Sequence, residues 1–352
     1  MAYTTINKSS LHFNTKLYTG NNTSQSITGV GFQPDWSWIK SRVNTEKHVL
    51  QNAVIGTGQE FTSQDNSAQN PTTTSVTSFN SDGITVGSAN AVNDNNINYA
   101  SWHWKANGAG SSNTDGSINT TKTSANTTSG FSLVTYTGTG SNATIGHGLG
   151  IAPEVVFIKG VNFLSGWYVY AKDALGTNGN SGKGSVAFLE NEAAFTNDTT
   201  SWQNTDPTSS VISLGNDGGT NGSNKPYQAY CFAPVQGFSK MGSYLGNGNA
   251  NGTFVYTGFK PAWILIKVTT IASNDWHIFD SKRLGYNEKN YSLKPNNNPI
   301  EVTGLKIDLL SNGFKLRGTQ NDINGSGTYI YMAFAENPFV SNVGESLPTT
   351  AR

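Results

Sequence analysis

The sequence has little charge of either sign. It holds 22 basic and 22 acidic residues among 352, so the formal net charge is zero and charged residues make up 12%. Ordinary soluble domains carry about twice that share. Binding to nucleic acid requires a basic patch or stripe, and the sequence therefore predicts no nucleic-acid partner.

Cysteine and long apolar runs are also scarce. The single cysteine, Cys231, cannot form an intrachain disulfide, and its place in an aromatic strand-like run predicts a buried, unreactive thiol. No apolar run approaches the length that crosses a bilayer, and the first residues lack the basic and apolar regions of a signal peptide. We therefore expect a chain that is made in a cytoplasm and is not inserted in a membrane.

Helical periodicity is missing as well. No long amphipathic pattern is convincing, whereas 39 glycines and 11 prolines punctuate short alternating segments such as 131–136 and 313–317. Segments of this kind, rich in β-formers and ended by Gly or Asn, predict strands. The predicted fold class is all-β.

Catalytic motifs are absent from the sequence. It contains no Gly-x-Ser-x-Gly elbow, no complete phosphate-binding loop and no metal-ligand spacing among its five histidines. His103 and His277 lie in strand-like runs, where we expect polar, outward-facing positions. Glu190 and Glu192 form the only local carboxylate pair worth considering for glycoside hydrolysis. The sequence thus predicts no enzyme activity, no catalytic residue and no cofactor.

What the chain does have is a cassette that occurs three times. Each copy begins with a proline and places an Ile-Lys pair five and six residues after it. These prolines and lysines are Pro34 and Lys40, Pro153 and Lys159, and Pro261 and Lys267. Trp36 and Trp263 follow the first and third prolines, where the second copy has Val155. Self-similarity in a fixed register predicts an arrayed architecture.

The cassette prolines and lysines have simple structural interpretations. Proline lacks an N–H group, so we expect each one at the first residue of a strand or on an edge strand. We expect each cassette lysine to end its strand at the solvent, since a long charged side chain keeps its head in water.

Each copy closes on an aromatic run that starts with a tyrosine. The three tyrosines are Tyr99, Tyr227 and Tyr329, and large side chains alternate after them: Trp102 and Trp104, Tyr230 and Phe232, and Met332 and Phe334. Period-2 spacing places each pair on one face of a strand. A sugar-stacking platform is the alternative interpretation, but equivalence across copies favours packing in a core.

The repeats divide the chain into three modules. The predicted boundaries are an N-terminal arm (1–14), the first module (15–106), a Gly/Ser/Thr/Asn-rich linker (107–130), the second module (131–236), the third module (237–336) and a C-terminal arm (337–352). Asp-Gly and Asn-Gly turns predict hairpins, so each module is predicted to be an antiparallel β-sandwich of the jelly-roll or lectin-like type. The linker has the composition of a flexible segment or of an arm that lies on a neighbour.

Two weak candidates for ligand binding remain. Asn-Asp pairs that contain Asp94, Asp217 and Asp322 occur before each tyrosine run, where their oxygens suit a calcium ion. Turns capped by these side chains are the favoured alternative. Trp202 is the best loop-tip aromatic for contacting a ligand, although a tryptophan that closes the end of its own module is the simpler interpretation.

Three stretches together resemble a known protein family. They are the opening Met-Ala-Tyr-Thr-Thr-Ile-Asn-Lys-Ser-Ser, the Gly-Phe-x-Pro-x-Trp-x-x-Ile-Lys cassette and the ending at 329–339. The family is a recurring virion protein of tailed bacteriophages, especially marine phages that infect cyanobacteria and SAR11-type bacteria, and the resemblance covers nearly the whole chain. It implies a tail-fibre-like virion structural component, implies no enzyme activity and supplies no functional residues.

The resemblance leaves two main hypotheses. The first is a tail appendage, exposed on the virion, that engages the host surface and contacts a host glycan. The second is a capsid decoration or tail-assembly protein that stabilises the particle through its arms. An envelope polysaccharide depolymerase is the least favoured, since neither a catalytic motif nor a β-helix repeat is visible. We expect as partners other virion proteins and copies of the chain itself, in a homotrimer.

Overall fold

The structure is a computed structural model that describes residues 4–338. Antiparallel strands dominate this range, and its helical segments are two short α-helices and two 3₁₀ turns, Ser9–Leu11 and Gly182–Gly184. The prediction of an all-β fold is therefore confirmed. Residues 1–3 of the predicted N-terminal arm, and all but the first two residues of the predicted C-terminal arm, lie outside the described residues.

The first module contains nine strands and one helix. These are β1 (Phe13–Thr19), β2 (Gln25–Thr28), β3 (Trp36–Ser41), β4 (Val49–Asn52), β5 (Gln59–Glu60), β6 (Asn70–Pro71), β7 (Val76–Asn80), β8 (Gly83–Val86), α1 (Asn90–Asn93) and β9 (Asn98–Trp104). One sheet has the order β1-β9-β3-β4 and a second has the order β2-β8-β7, while β5 pairs with β6. The tyrosine strand β9 thus lies between the first strand and the cassette strand.

The second module repeats this plan. Its elements are β10 (Lys122–Asn126), β11 (Phe131–Thr137), β12 (Ala143–Gly146), β13 (Val155–Gly160), β14 (Trp167–Ala171), β15 (Ser185–Phe188), β16 (Thr196–Asn197), β17 (Val211–Leu214), α2 (Gly218–Asn221) and β18 (Pro226–Phe232). The large sheet runs β10-β11-β18-β13-β14-β15-β16, and β12 pairs with β17. Its four middle strands, β11-β18-β13-β14, match the order in the first module.

The third module has the same arrangement with fewer strands. They are β19 (Ser239–Leu245), β20 (Phe254–Tyr256), β21 (Phe259–Val268), β22 (His277–Asp280), β23 (Ile307–Leu310), β24 (Gly313–Leu316) and β25 (Thr328–Pro338). The two sheets are β19-β25-β21-β22 and β20-β24-β23. The cassette strand is again flanked by the tyrosine strand and by the strand that follows it in the chain.

The segment 107–130 belongs to the second module's sheet. Its strand β10 pairs with β11, and the Asn107 N–H donates to Ser124 Oγ over 2.8 Å. The Lys122 ammonium also donates to the Val54 carbonyl of the first module over 2.8 Å. The segment is therefore an outer strand that also contacts a neighbouring module, rather than a flexible linker.

Each four-stranded sheet buries both of its faces. In the first module Ile39 and Tyr99 pack with Ile84 of the smaller sheet in a core of that module alone. Trp38 and Trp102, on the opposite face, join one large core to which all three modules contribute. A free-standing sandwich would leave this second face to solvent, so the modules are not independent sandwiches joined in series.

Aromatic contacts link every pair of modules in the shared core. The distances between ring centroids are 5.0 Å for Trp36–Tyr230, 5.5 Å for Trp104–Trp263 and 6.2 Å for Phe232–Phe334. The alternating aromatics of the tyrosine strands are all buried, which confirms their prediction as core residues. Because the first module contacts the second, the second the third and the third the first, we call this arrangement the closed ring.

Candidate functional site

Equivalent side chains hold the three interfaces of the closed ring. Each lies at, or one residue before, the start of the strand that follows the cassette strand (β4, β14 or β22) and donates a ring N–H to a backbone carbonyl of the preceding module. The bonds are Trp167 Nε1 to Thr62 O at 2.8 Å, Trp276 Nε1 to Phe188 O at 3.0 Å, and His48 Nε2 to Lys294 O at 2.9 Å. The direction is the same at every interface, from second to first, third to second and first to third.

A second set of equivalent bonds accompanies the first. Each donor lies seven residues after a carbonyl of the first set, and each acceptor lies two residues after a cassette lysine. The bonds are Gln69 N to Val161 O at 2.8 Å, Phe195 N to Thr269 O at 2.9 Å, and Glu301 N to Arg42 O at 2.8 Å. Identical spacing at all three interfaces shows that they are copies of one contact.

His48 replaces tryptophan without breaking this pattern. Its Nδ1 accepts from Trp38 Nε1 over 2.9 Å, which leaves Nε2 to carry the proton that it donates to Lys294 O. Burial, first, and then the charge of Lys40 hold the pKa of His48 well below its usual range. The imidazole is therefore neutral and serves as a single-proton donor, as the indole does.

The cassette lysines Lys40, Lys159 and Lys267 are fully buried. The prediction that they end their strands at the solvent is wrong. Both faces of each cassette strand are covered, so the side chain has no route to water. Each ammonium instead donates to backbone carbonyls at the end of the strand or in the loop that follows it: Ser41 O and Asn44 O for Lys40, Ser165 O for Lys159, and Asn274 O for Lys267.

These lysines connect the strand to the neighbouring module. Two of the loops they hold reach across an interface, since Ser165 N donates to Asn66 O over 2.9 Å and Asn274 N to Glu192 O over 3.4 Å. Desolvation lowers the pKa of each cassette lysine to about 8, and nearby carboxylates only partly offset it. The ammonium groups thus have a structural role. The sequence signal for this role was the recurrence of the lysine at the same position in all three cassettes.

The cassette prolines lie where strands begin or are irregular. Pro34 and Pro153 each stand two residues before their strand. For Pro261 the prediction of a first residue or an edge strand is wrong, because it is the third residue of β21, a central strand, at a shift of its register on β25. A residue without an N–H group is tolerated at such places, because no ladder bond is lost there.

The tyrosines at the head of the last strand each fix the short helix or turn that precedes the strand. Their hydroxyls donate to Asn90 O at 2.5 Å, Gly218 O at 2.6 Å and Asn321 O at 2.6 Å, for Tyr99, Tyr227 and Tyr329 respectively. Each hydroxyl also accepts a hydrogen bond from the backbone N–H four residues after that carbonyl, which belongs to Asp94, Gly222 and Gly325 respectively. The equivalent residues of Asp94 are therefore glycines.

The three candidate calcium ligands consequently occupy different positions. Asp94 follows α1, whereas Asp217 caps α2 by accepting from Gly219 N over 2.7 Å. Asp322 accepts from His277 Nε2 over 3.2 Å. The three aspartates therefore do not occupy equivalent positions, contrary to the prediction from their recurrence before each tyrosine run. These loops share no common set of calcium ligands.

A different polar residue is repeated in these loops. Asn93, Asn221 and Asn324 are fully buried, and their Nδ2 groups donate to Gly87 O, Gly215 O and Gly318 O over 2.6–2.7 Å. Sequence reasoning missed them because they precede the tyrosine by six residues in two modules and by five in the third.

Trp202 and the two strand histidines are all buried. Trp202 is 1% exposed and packs on Tyr170 with ring centroids 5.7 Å apart, so it closes the end of its module and offers no stacking face. The prediction of outward positions for His103 and His277 is wrong, because their strands are covered on both faces. His103 bonds to Ser37 and Ser101, and burial lowers its pKa to about 3.

Cys231 and the Glu190–Glu192 pair also have structural surroundings. Cys231 is fully buried, which raises the pKa of its thiol and confirms the prediction of a buried cysteine. Glu190 Oε2 accepts a hydrogen bond from the backbone N–H of Trp167 over 2.9 Å. It therefore helps to position the indole that crosses to the first module.

Charged clusters concentrate in the third module. Ligand atoms of Asp275, His277 and Asp322 lie within 4.8 Å of one another. Lys294 Nζ contacts Asp275 Oδ2, and Asn296 donates to Asp275 Oδ1 over 2.7 Å. An ammonium already balances the carboxylate here, so we describe this cluster as an ion-pair network rather than as a metal centre.

A buried network also joins the third module to the first. Arg283 Nε lies 2.5 Å from Asp280 Oδ2, and both side chains are at most 1% exposed. Arg42 Nε of the first module lies 2.8 Å from Glu301 Oε1, which Arg283 Nη1 approaches to 3.3 Å. Trp102 Nε1 donates to Asp280 Oδ2 over 3.2 Å.

The third module also carries a surface cavity of about 300 Å³. Its charged lining groups are Lys260, Lys282, Lys289 and Glu336, and the exposed Tyr286 also lines it. A cavity of about 320 Å³ near the N-terminal arm has no charged side chain in its lining. Of these two cavities, only the first therefore has charged groups in its lining.

The fold and its interfaces define the class of this protein. It is a repeat protein in which three all-β modules, joined in one chain, close around a common aromatic core. The chain matches the family described as Domain of unknown function (DUF7483) over residues 8–338 and belongs to that family. No curated protein matches it.

The described residues contain no helix that is long and apolar enough to cross a membrane.

Proposed function

We propose that the protein is a non-enzymatic structural component of a virion, exposed on the particle as part of a tail appendage that engages the host surface. The observation that carries this proposal is the closed ring, in which the repeated residues hold the modules together. A body of this kind suits an exposed particle component, because one shared core holds the surface loops of all three modules on a common frame. The proposed location on a phage particle comes from the resemblance of the sequence to tailed-phage virion proteins.

The chemistry of the buried groups supports a structural role. The cassette lysines and His103 have pKa values lowered by burial, and all four side chains are buried and hydrogen-bonded within the protein. Catalytic groups, in contrast, combine a shifted pKa with access to a cleft. These positions are therefore better explained as parts of the frame.

A capsid decoration or tail-assembly protein is the second candidate. That role was expected to depend on arms that reach neighbouring subunits. Ile6 of the N-terminal arm is 2% exposed and belongs to the shared core of its own chain, which favours the appendage. The homotrimer stays a prediction, and light scattering tests it.

Immunogold labelling of intact particles with an antibody to residues 131–336 tests the proposal. Label at the tail is the expected result, and blocking of adsorption by the same antibody is the next test. Label spread over the head would favour decoration. Labelling of disrupted particles alone would contradict an exposed role of either kind.

A further inference from the structure

We propose that the outer face of the third module's smaller sheet binds a saccharide chain, whose sugar rings pack on the exposed side chains of Phe254 and Tyr256. We call these two side chains the aromatic platform. This inference rests on the proposed engagement of a host surface and names the site and the chemical class of its ligand. Phe254 and Tyr256 are 44% and 50% exposed, whereas Val255 between them is 6% exposed and belongs to the core of the module.

The platform follows from the alternation of side chains along one strand. Residues two apart lie on the same face of a strand, about 7 Å from each other. Strand β20 therefore places Val255 in the core and both aromatic rings on the solvent side. It also lies at the edge of its sheet, in the order β20-β24-β23, so that both rings are available to one ligand.

Neighbouring groups position the two rings. The Phe254 ring lies against Gly313 of β24, where the first carbon of any side chain would stand 3.1 Å from Phe254 Cε2. The Lys240 ammonium donates to Tyr256 O over 2.8 Å and lies 5.3 Å from the centroid of the tyrosine ring. Rings that are positioned before binding lose less conformational freedom when a ligand covers them.

Polar side chains border the platform. Lys315 pairs with Phe254 across the ladder, and its ammonium donates to Gly252 O over 2.8 Å. Asp308 pairs with Lys315 in turn, and its Oδ2 lies 2.8 Å from Arg317 Nε. Aromatic rings with hydrogen-bonding groups beside them match a sugar, which has an apolar ring face and hydroxyls around it. An apolar peptide or a lipid would leave the polar border without partners.

The platform is too small for a protein partner. An aromatic side chain buries about 150–250 Å² when it is fully covered, and these two are about half exposed. Even with Leu245 of β19, which is 69% exposed, the apolar surface is on the order of 300 Å². A stable protein interface buries about 800 Å² on each partner. The available surface therefore suits a short stretch of sugar rings.

The other two modules lack the platform. The buried residue at the middle of each equivalent strand, Val255, Ile27 or Ile145, pairs with a buried residue of the next strand and identifies the register. The residues in place of Phe254 and Tyr256 are Ser26 and Thr28 in the first module, and Thr144 and Gly146 in the second. The platform is thus a property of one module, added to a frame that does not require it.

The test is isothermal titration calorimetry of the full chain with glucose and three neutral hexasaccharides, cellohexaose, maltohexaose and mannohexaose. At least one hexasaccharide is expected to bind, about tenfold more tightly than glucose, which covers a single ring. The affinity is expected to be the same in low and high salt, because packing on an aromatic ring is not screened. No binding of any hexasaccharide, or binding that high salt abolishes, would overturn the inference.

Two substitutions copy the first module and leave the core unchanged. Phe254→Ser and Tyr256→Thr are each expected to weaken hexasaccharide binding by about tenfold. The matched control is Tyr286→Thr, which removes a tyrosine that is 70% exposed in the loop after β22 and is expected to leave binding unchanged. Urea denaturation checks that all three variants stay folded. Unchanged binding in both platform variants, or an equal loss in Tyr286→Thr, would show that the rings are not the site.

A second copy of the chain is the alternative occupant of this face. Light scattering of the wild type and of Phe254→Ser separates the two, and the same mass is expected for both proteins. A smaller mass for Phe254→Ser, with hexasaccharide binding unchanged, would show that the face is a contact between copies and that the inference is wrong.

Failure of this inference and failure of the proposed function give different results. Tail labelling without binding of any hexasaccharide removes the saccharide site alone. Saccharide binding by a protein that is not exposed on intact particles keeps the site and removes the virion-surface role.

Discussion

The interface between the second and third modules differs from the one that closes the ring between the third and the first. The former has an indole donor, Trp276, and backbone bonds. The latter replaces the indole with His48 and adds the buried Arg283–Asp280 pair and the Arg42–Glu301 pair. One frame therefore accepts either a mainly apolar or an ionic interface, provided that the repeated carbonyl acceptor keeps its donor.

The largest effect is expected from a substitution that breaks the ionic interface between the third and first modules. Arg283→Met leaves Asp280 buried with its main counter-charge removed, and the free energy of unfolding is expected to fall by about 3–5 kcal/mol. Urea denaturation measures it. The matched control is Lys172→Met, which removes an exposed pair with Glu154 and is expected to cost at most about 1 kcal/mol. Equal effects of the two variants would show that the buried pair does not hold the interface.

The next prediction tests whether the other two interfaces depend on the same kind of indole hydrogen bond. Trp167→Phe leaves the buried carbonyl of Thr62 without its indole donor and is expected to cost about 1–3 kcal/mol beyond the loss of packing. Trp276→Phe does the same to the half-buried carbonyl of Phe188 and is expected to cost about 1 kcal/mol beyond packing. Trp263→Phe is the control, since its Nε1 has no partner among the described residues and only packing is lost. A cost for Trp263→Phe equal to that of the other two would remove the role assigned to the interface bonds.

The periodicity of the sequence was enough to predict the all-β fold and the buried aromatics. The burial of Lys40, Lys159 and Lys267 was not foreseen, because a rule for single strands assumes that one face or one end meets solvent. The signal was present in the unbroken apolar run 263–266 of the third cassette, which is typical of a strand covered on both faces. What covers the second face is another module, and no local pattern identifies it.

The third prediction concerns pH and treats all three interfaces together. The folded-state pKa of each cassette lysine is about 8, below the ordinary value of 10.5. Between those values the unfolded chain binds more protons than the folded chain, so the free energy of unfolding rises with pH in this window. From pH 8 to about 9.3 each lysine is expected to add about 1 kcal/mol.

Urea denaturation at these two pH values, with wild type and Lys267→Met, measures this contribution. The variant is expected to show a rise smaller by about 1 kcal/mol, the contribution of the one lysine that it lacks. An identical rise in both proteins would show that Lys267 keeps an ordinary pKa in the folded chain.

The last prediction separates the repeated asparagine from the aspartates that do not repeat. Asn221→Ala removes buried bonds to Ser141 O and Gly215 O and is expected to cost about 1–3 kcal/mol. Asp94→Ala removes a local turn contact to Asn95 N and is expected to cost about 0.5 kcal/mol or less. The reverse order in urea denaturation would contradict the assignment of equivalent positions.

The central claim is that three modules fold around one shared core. Differential scanning calorimetry of the full chain tests it most directly, because modules that share a core lose their structure together. The account predicts a single transition whose calorimetric and van't Hoff enthalpies agree. Separate transitions for the modules, each with its own midpoint, would contradict it.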